Sequence, residues 1–224
     1  MMFRNRDRPA SGTGCVSSAG ESSMIAGPLV FVDIDTQRDF LEPTGALFVP
    51  GSEAILENLE RLSRFAREHG IAVIATACAH TEEDTEEIDR FGRHCMVGTP
   101  GQERVLATAD AASCVLGPFD RFEPGGPLPG HLTLEKRDYD VFTHPEADRV
   151  VGAYGRDRPT FVVYGVATDY CVKAAVLGLL ARDCSVAVVV DAVRAIDPDH
   201  EADVFAAFTA AGAVLTLTDA VCGP

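Results

Sequence analysis

Lysine is nearly absent from this chain. Only Lys136 and Lys173 occur, and Arg supplies the other 17 of its 19 basic residues. Nucleotide bias in the source genome accounts for the scarcity but not for the two that survive. A compact ammonium whose pKa responds to burial is something Arg cannot copy, so Lys136 is a candidate functional residue. Positive charge is also short: 34 acidic residues against 19 basic ones give a net charge of −15 and a pI near 4.7. Such a surface repels a phosphate backbone and anionic lipid, which argues against nucleic-acid and membrane partners. No apolar run reaches the about 18 residues that cross a bilayer. The N-terminal stretch also lacks the apolar core of a secretory signal, so a cytoplasmic location is expected. A regular cysteine framework is missing too. Seven Cys, an odd number, fall irregularly at 15, 78, 95, 114, 171, 184 and 222, which suits reduced thiols.

What is present reads as one α/β domain of 224 residues, 46% hydrophobic and 24% charged. Residues 1–25 are rich in Arg, Ser and Gly without a periodic apolar face and are expected to form a flexible arm, with Met24 an alternative start. Residues 26–224 form the domain proper. Apolar runs at "PLVFVDI", "IAVIATA", "HLTLEK", "TFVVYG", "SVAVVVD" and "AVLTLT" read as buried strands. Helical patterns alternate with several of them, notably residues 52–70, with Ser52 as N-cap and Gly70 at the C-terminal glycine position. Continuously apolar strands alternating with helices indicate a parallel sheet covered on both faces, with ligands bound beyond the carboxyl ends of the strands. Residues 78–130 read as mostly irregular, either functional or hiding short elements.

The stretch "VVYGVATDYCVKAAV" places Cys171 just after a strand and at the start of a helix. With Thr168 as N-cap, Cys171 is at the third helical position, where free N–H groups and the helix dipole favour a thiolate and lower its pKa. The bland alternative is a small core residue, since free Cys is among the most buried residue types. A nucleophilic thiol needs a base. Asp33, Asp35 and Asp39 lie at the end of the first strand, and Lys136 ends "HLTLEK". Three strand ends can thus bring a carboxylate, an ammonium and a thiol to one rim.

In order, "DIDTQRDFLEPTGALFVPG", "HCMVGTPG", Lys136 and "GVATDYCVKAAV" resemble the isochorismatase-like cysteine hydrolases, nearest the nicotinamidase branch, over roughly residues 28–218. The resemblance implies a three-layer α/β fold with a six-stranded parallel sheet flanked by helices. It also implies an amidohydrolase that cleaves a small amide to acid and ammonia through a thioester. The family triad falls on Asp35 as base, Lys136 as the cation that holds it, and Cys171 as nucleophile. The oxyanion hole falls on the N–H groups of Ala167 and Cys171, with the Val166–Ala167 peptide cis. Phe40 becomes a candidate wall for a substrate ring, Gln37 a brace for the turn, and Asp39 a structural hydrogen-bonding residue.

Nicotinamidases hold a divalent metal through D-x-H and a later His. Here Cys78 stands at the Asp position, His80 is in register, and His94 matches the later ligand. Two readings stay open: a soft site for Zn or Fe on Cys78, His80 and His94, or a small core cysteine that abolished the site. Two further function hypotheses follow. One is a metal-independent hydrolase of N-carbamoyl or ureido amides on the same fold; the other is a binding protein with a relict site. The vinyl ether hydrolases of the superfamily lack the nucleophilic Cys and are disfavoured. By resemblance, a homo-oligomer is expected.

Overall fold

The computed structural model describes residues 27–123 and 125–223, so the arm expected over residues 1–25 and the alternative start at Met24 lie outside the described residues. Seven strands make one sheet: β1 (Leu29–Ile34), β2 (Ala72–Cys78), β3 (Cys114–Leu116), β4 (His131–Lys136), β5 (Thr160–Val166), β6 (Ser185–Arg194) and β7 (Val214–Thr216). Their order is β3-β4-β2-β1-β5-β6-β7, and every neighbouring pair is parallel. The expected six strands are all there. The seventh, β3, lies in the region read as irregular: at three residues, two of them exposed, it is too short to show a period. The helices are α1 (Arg38–Leu41), α2 (Leu56–His69), α3 (Thr85–Phe91), α4 (Ala147–Tyr154), α5 (Lys173–Leu180), α6 (Glu201–Ala211) and α7 (Thr218–Cys222). The short α3, begun within the acidic run "EEDTEE", and a 3-10 turn at Pro100–Gln102 also interrupt the supposedly irregular stretch.

Strand periodicity divides the core in two. Val30, Val32 and Ile34 of β1 and Phe161 and Val163 of β5 join one cluster with the buried faces of α4, α5 and α6. Phe31, Val162, Tyr164 and Val166 point the other way and pack with Leu59, Leu62 and Ala66 of α2. Successive strand residues alternate between faces, so a sheet with helices on both sides requires every position to be apolar. In α2, Leu59, Leu62 and Ala66 are buried, and Gly70 adopts φ +63° and donates its N–H to the Ala66 carbonyl. Its beginning differs from expectation. Ser52 opens a 3-10 turn after Gly51, and its hydroxyl donates to the Phe40 carbonyl instead of capping the helix.

The order of strands positions the site. The chain adds β2 and β4 on one side of β1 and β5 on the other, so the carboxyl ends of β4, β2, β1 and β5 lie side by side. Cys78 and Lys136, the last residues of β2 and β4, are register partners, and Ile34 pairs with Gly165. Gly165 has φ +114°, and a Cβ there would stand 2.0 Å from the Ile34 carbonyl oxygen. Gly165→Ala is therefore expected to cost about 2 kcal/mol or more in unfolding free energy. A urea titration that left the midpoint unchanged would show that β1 and β5 do not need this close approach.

Candidate active site

Asp35 follows β1 with φ +48°, in the left-handed region that Asp tolerates better than most residues. Its N–H donates to the Thr76 carbonyl (3.2 Å), and the Thr76 hydroxyl donates to Asp35 Oδ1 (2.6 Å). The other oxygen, Oδ2, is 2.9 Å from Lys136 Nζ, and both side chains are buried, at 0% and 1% exposure. Lys136 Nζ also donates to the Asp138 carbonyl at 3.0 Å and to Cys78 Sγ at 3.2 Å, and it lies 3.8 Å from Cys171 Sγ. The ammonium is the hub that brings the three predicted residues to one place. Asp35 and Cys171 have no direct hydrogen bond among the described residues; Lys136 and Cys78 stand between them. Burial alone would pull the Lys136 pKa down, but the Asp35 carboxylate and the two sulfurs outweigh it, and the pKa stands well above its ordinary value.

Cys171 sits in a π-helical turn, Thr168–Val172, that runs into α5. The N-cap is Ala167 rather than Thr168, so Cys171 is the fourth residue of the turn, not the third. Thr168 is occupied elsewhere: its hydroxyl donates to Glu201, and the Asp169 carboxylate accepts the N–H groups of Ile196 and Asp197. The Ala167 carbonyl accepts from Tyr170 and Val172 and passes over Cys171. The Ala167 N–H has no acceptor among the described residues, and the Val166–Ala167 peptide is cis. The expected fall in the Cys171 pKa is not found. A hydrogen bond with Cys78 raises it first and burial second; Lys136 opposes them without prevailing, leaving the thiol well above its ordinary value. Position at a helix mouth is a weaker influence here than desolvation.

The remaining predicted residues also meet at this rim. Phe40 lines a narrow pocket together with Cys78, His94, Ala167, Tyr170 and Cys171. Its free volume is about 20 Å³, room for little more than one water. A roomier cavity of about 280 Å³ around Ser63, His131 and Tyr164 lies at the amino end of the sheet and is lined by none of the cysteines. Cys78, His80 and His94 are all buried, and one donor atom from each lies within 4.8 Å of the others. Both ring nitrogens of His80 lack a hydrogen-bond partner. Burial first, then His94 and Lys136, push its pKa down to about 4, so the ring is neutral at pH 7. His94 Nδ1 donates to the Gly92 carbonyl (2.9 Å), which leaves Nε2 with its lone pair. A thiol, the unpartnered His80 ring and the second ring nitrogen of His94 fit a divalent transition metal.

Gln37 braces more than its own turn. Its amide exchanges hydrogen bonds with the backbone N–H and carbonyl of Cys78, at 2.7 and 2.9 Å. Asp39 is structural, accepting the N–H groups of Ala46 and Cys95. Asp33 is set apart from the site in an ion pair with Arg104. The sequence reading missed Thr76, although strand alternation from Cys78 and His80 places it on the same face. It also missed Glu87, Phe91, Tyr139 and Tyr170 of the pocket wall, which come from segments with no strand period to guide the eye. Glu87 accepts the Tyr139 N–H, and burial raises its pKa.

A three-layer α/β chain with a thiol, a carboxylate and an ammonium at the carboxyl rim has the layout of a cysteine hydrolase. The isochorismatase domain family matches residues 29–220, and the chain belongs to that family. It is 29% identical to the nicotinamidase of Escherichia coli K12, over 86% of this chain and 96% of that protein. A probable inactive nicotinamidase of Arabidopsis thaliana is 25% identical, over 76% and 83%. Among solved structures, N-carbamoylsarcosine amidase from Thermoplasma acidophilum is similar with a TM-score of 0.68 and 27% identity, over 86% of this chain and 98% of that one. The Pyrococcus horikoshii pyrazinamidase in complex with zinc follows with a TM-score of 0.67 and 26% identity, over 85% and 99%.

The raised pKa has a direct consequence for thiol reactivity. Iodoacetamide labelling of Cys171, resolved by peptide mass spectrometry, should still be accelerating above about pH 8.5, the ordinary thiol midpoint. Lys136→Gln removes the one charge that favours the thiolate and should move the midpoint higher. A midpoint below the ordinary value would mean that the helix start governs this thiol after all.

Proposed function

We propose that this chain is a cysteine-dependent amidohydrolase that cleaves a small amide, nicotinamide-like, to the acid and ammonia through a thioester on Cys171. Family membership and its amidase relatives indicate the amidohydrolase class. The observation that carries the finer reading is the single ammonium of Lys136 touching both Asp35 and Cys171 at the edge of a pocket.

The raised Cys171 pKa supports an order of events in which proton transfer accompanies attack. Cys171 rests as a thiol, so its proton must leave as the sulfur attacks the carbonyl carbon. Asp35, kept in place by Lys136 and Thr76, is the base for that proton. The Asp35–Cys171 approach has to shorten when substrate binds, as catalytic hydrogen bonds commonly do. The N–H groups of Ala167 and Cys171 take the developing oxyanion. Asp35 then gives the proton to the leaving nitrogen, ammonia departs, and the acyl group stays on sulfur. Water attacks the thioester with Asp35 again as base, and the acid leaves as the proton returns to sulfur. Phe40 and Tyr170 wall the pocket against a flat substrate.

Cys78, His80 and His94 would hold a divalent ion, with zinc best suited to a thiolate and two imidazoles and iron second. Bound there, it would supply a Lewis-acid contact for a substrate heteroatom such as a pyridine nitrogen. The second reading, metal-independent cleavage of N-carbamoyl or ureido amides, is favoured by the likeness to N-carbamoylsarcosine amidase. The presence of Asp35, Lys136 and Cys171 together weighs against a relict binding site. The same reading takes the enzyme as a cytoplasmic homo-oligomer, supported by the exposed apolar edge at Val214, Leu215 and Leu217. Among the described residues no helix is long and apolar enough to cross a membrane.

A panel of pyridine amides, aliphatic amides and ureido acids should yield ammonia from at least one member. Cys171→Ala should lower that rate by about 10³-fold or more. Unchanged turnover in the variant would refute the mechanism. Elemental analysis of the same sample separates the two substrate branches. About one zinc or iron per chain, lost in both His80→Ala and His94→Ala, is expected of the pyridine amide branch. A metal-free and active protein would favour ureido substrates.

A further inference from the structure

Among the described residues, Cys78 brings a second thiol to this rim that takes no covalent part in amide cleavage. Its sulfur shares the Lys136 ammonium with Cys171, at 3.2 and 3.8 Å, so both sulfurs lie against the same nitrogen. Both sulfurs line the same pocket. Cys78 is fixed at the end of β2 by the Gln37 amide, and Cys171 by the π-helical turn, so their proximity is built into the backbone. Cys95 differs: its sulfur faces the Gly101 carbonyl at 3.9 Å. Cys78 and Cys171 both line this pocket, so a small oxidant such as hydrogen peroxide that enters it meets both sulfurs.

We propose that Cys78 and Cys171 form a reversible disulfide on exposure to hydroperoxide. One sulfur, as thiolate, attacks a peroxide oxygen, breaks the O–O bond and becomes a sulfenic acid, while the departing hydroxide takes up a proton. The second sulfur attacks the sulfenic sulfur, an S–S bond forms, and the hydroxyl leaves as water. Two thiols and one hydrogen peroxide give one disulfide and two waters. A dithiol reductant reverses the change by exchange. The bond protects Cys171 from irreversible oxidation to sulfinic acid. It also withdraws the Cys78 sulfur from any metal, so disulfide and bound ion exclude one another. Loss of turnover in the oxidised form rests on the reading of Cys171 as nucleophile; formation of the bond does not.

The full chain, both as purified and after EDTA dialysis, is treated with hydrogen peroxide, quenched with iodoacetamide and mapped by mass spectrometry. The expected product is a cross-linked peptide pair containing Cys78 and Cys171, with a loss of about 2 Da for the two hydrogens removed. Dithiothreitol should restore both thiols. Cys78→Ala should give no such pair and should instead carry a gain of about 32 Da on Cys171, the two oxygens of a sulfinic acid. Wild-type protein that shows the sulfinic gain on Cys171, pairs either cysteine elsewhere, or shows no cross-link in either sample overturns the proposal. The wild-type map needs no variant to fold and no known substrate. A cross-link without amidase activity sinks only the functional reading, and activity without a cross-link sinks only this inference.

Discussion

A buried ammonium, Lys136, holds this site together. Removing a charge of that size from water costs several kcal/mol, and the cost is offset only where the ion finds close partners. Lys136 finds three within 3.2 Å: the Asp35 carboxylate, the Asp138 carbonyl and the Cys78 sulfur. These take up its three donors, so Cys171 at 3.8 Å feels its charge rather than a full hydrogen bond. Asp35 depends on the same pair, since a fully buried carboxylate has no water to satisfy its charge and finds that partner in Lys136. The left-handed backbone at Asp35, the Thr76 hydroxyl and the parallel ends of β2 and β4 all serve to keep that contact. Arg could supply the charge, but its planar fork is a different shape from a compact ammonium ringed by three partners.

Much of the fold was legible because a doubly covered parallel sheet imposes a simple rule on its strands. The runs at β1, β2, β5 and β6 are apolar at most positions, since both faces meet helices, whereas β4 keeps only Leu132 and Leu134. The rule fails at the edge, where β3 leaves Cys114 and Val115 exposed and pairs with β4 alone. At three residues β3 leaves no run to read, whereas β7 at the opposite edge is marked by "AVLTLT". Helix ends were legible where glycine was needed, as at Gly70, and not where a 3-10 or π turn intervened, as at Ser52 and Thr168. Such turns depend on what the side chains reach in space, and Thr168 and Asp169 reach the loop before α6.

The site divides along a similar line. Asp35, Lys136 and Cys171 could be placed because each follows or ends a strand, and strand ends share a rim. The protonation state of Cys171 could not, because it depends on a neighbour 93 positions away in sequence, Cys78, and on burial. At the third or fourth residue of a helix the dipole contributes about 1 kcal/mol, whereas full burial of an ionisable group moves its pKa by as much as about 3–5 units. The wall formed by Phe91, Tyr139 and Tyr170 escaped for another reason. Their rings meet edge to face, Phe91 and Tyr139 each against Tyr170, although they come from α3, the segment after β4 and the π-helical turn.

The exchange at position 78 then takes on a definite physical meaning. A carboxylate there, as in the nicotinamidases this chain resembles, would place a second permanent anion beside Asp35, and one ammonium would have to serve both. A thiol can be neutral, so with Cys78 the Asp35–Lys136 pair is balanced whether or not an ion is bound. Cys78 Sγ lies 3.8 Å from Asp35 Oδ2, close enough that a fixed charge would be felt strongly in so buried a place. The Asp35–Lys136 pair thereby needs no metal for its electrostatic balance. A site with Asp at that position gains when a dication neutralises the extra charge, whereas this one is electrically complete without it. That independence makes the cysteine more than a softer copy of a carboxylate at this position.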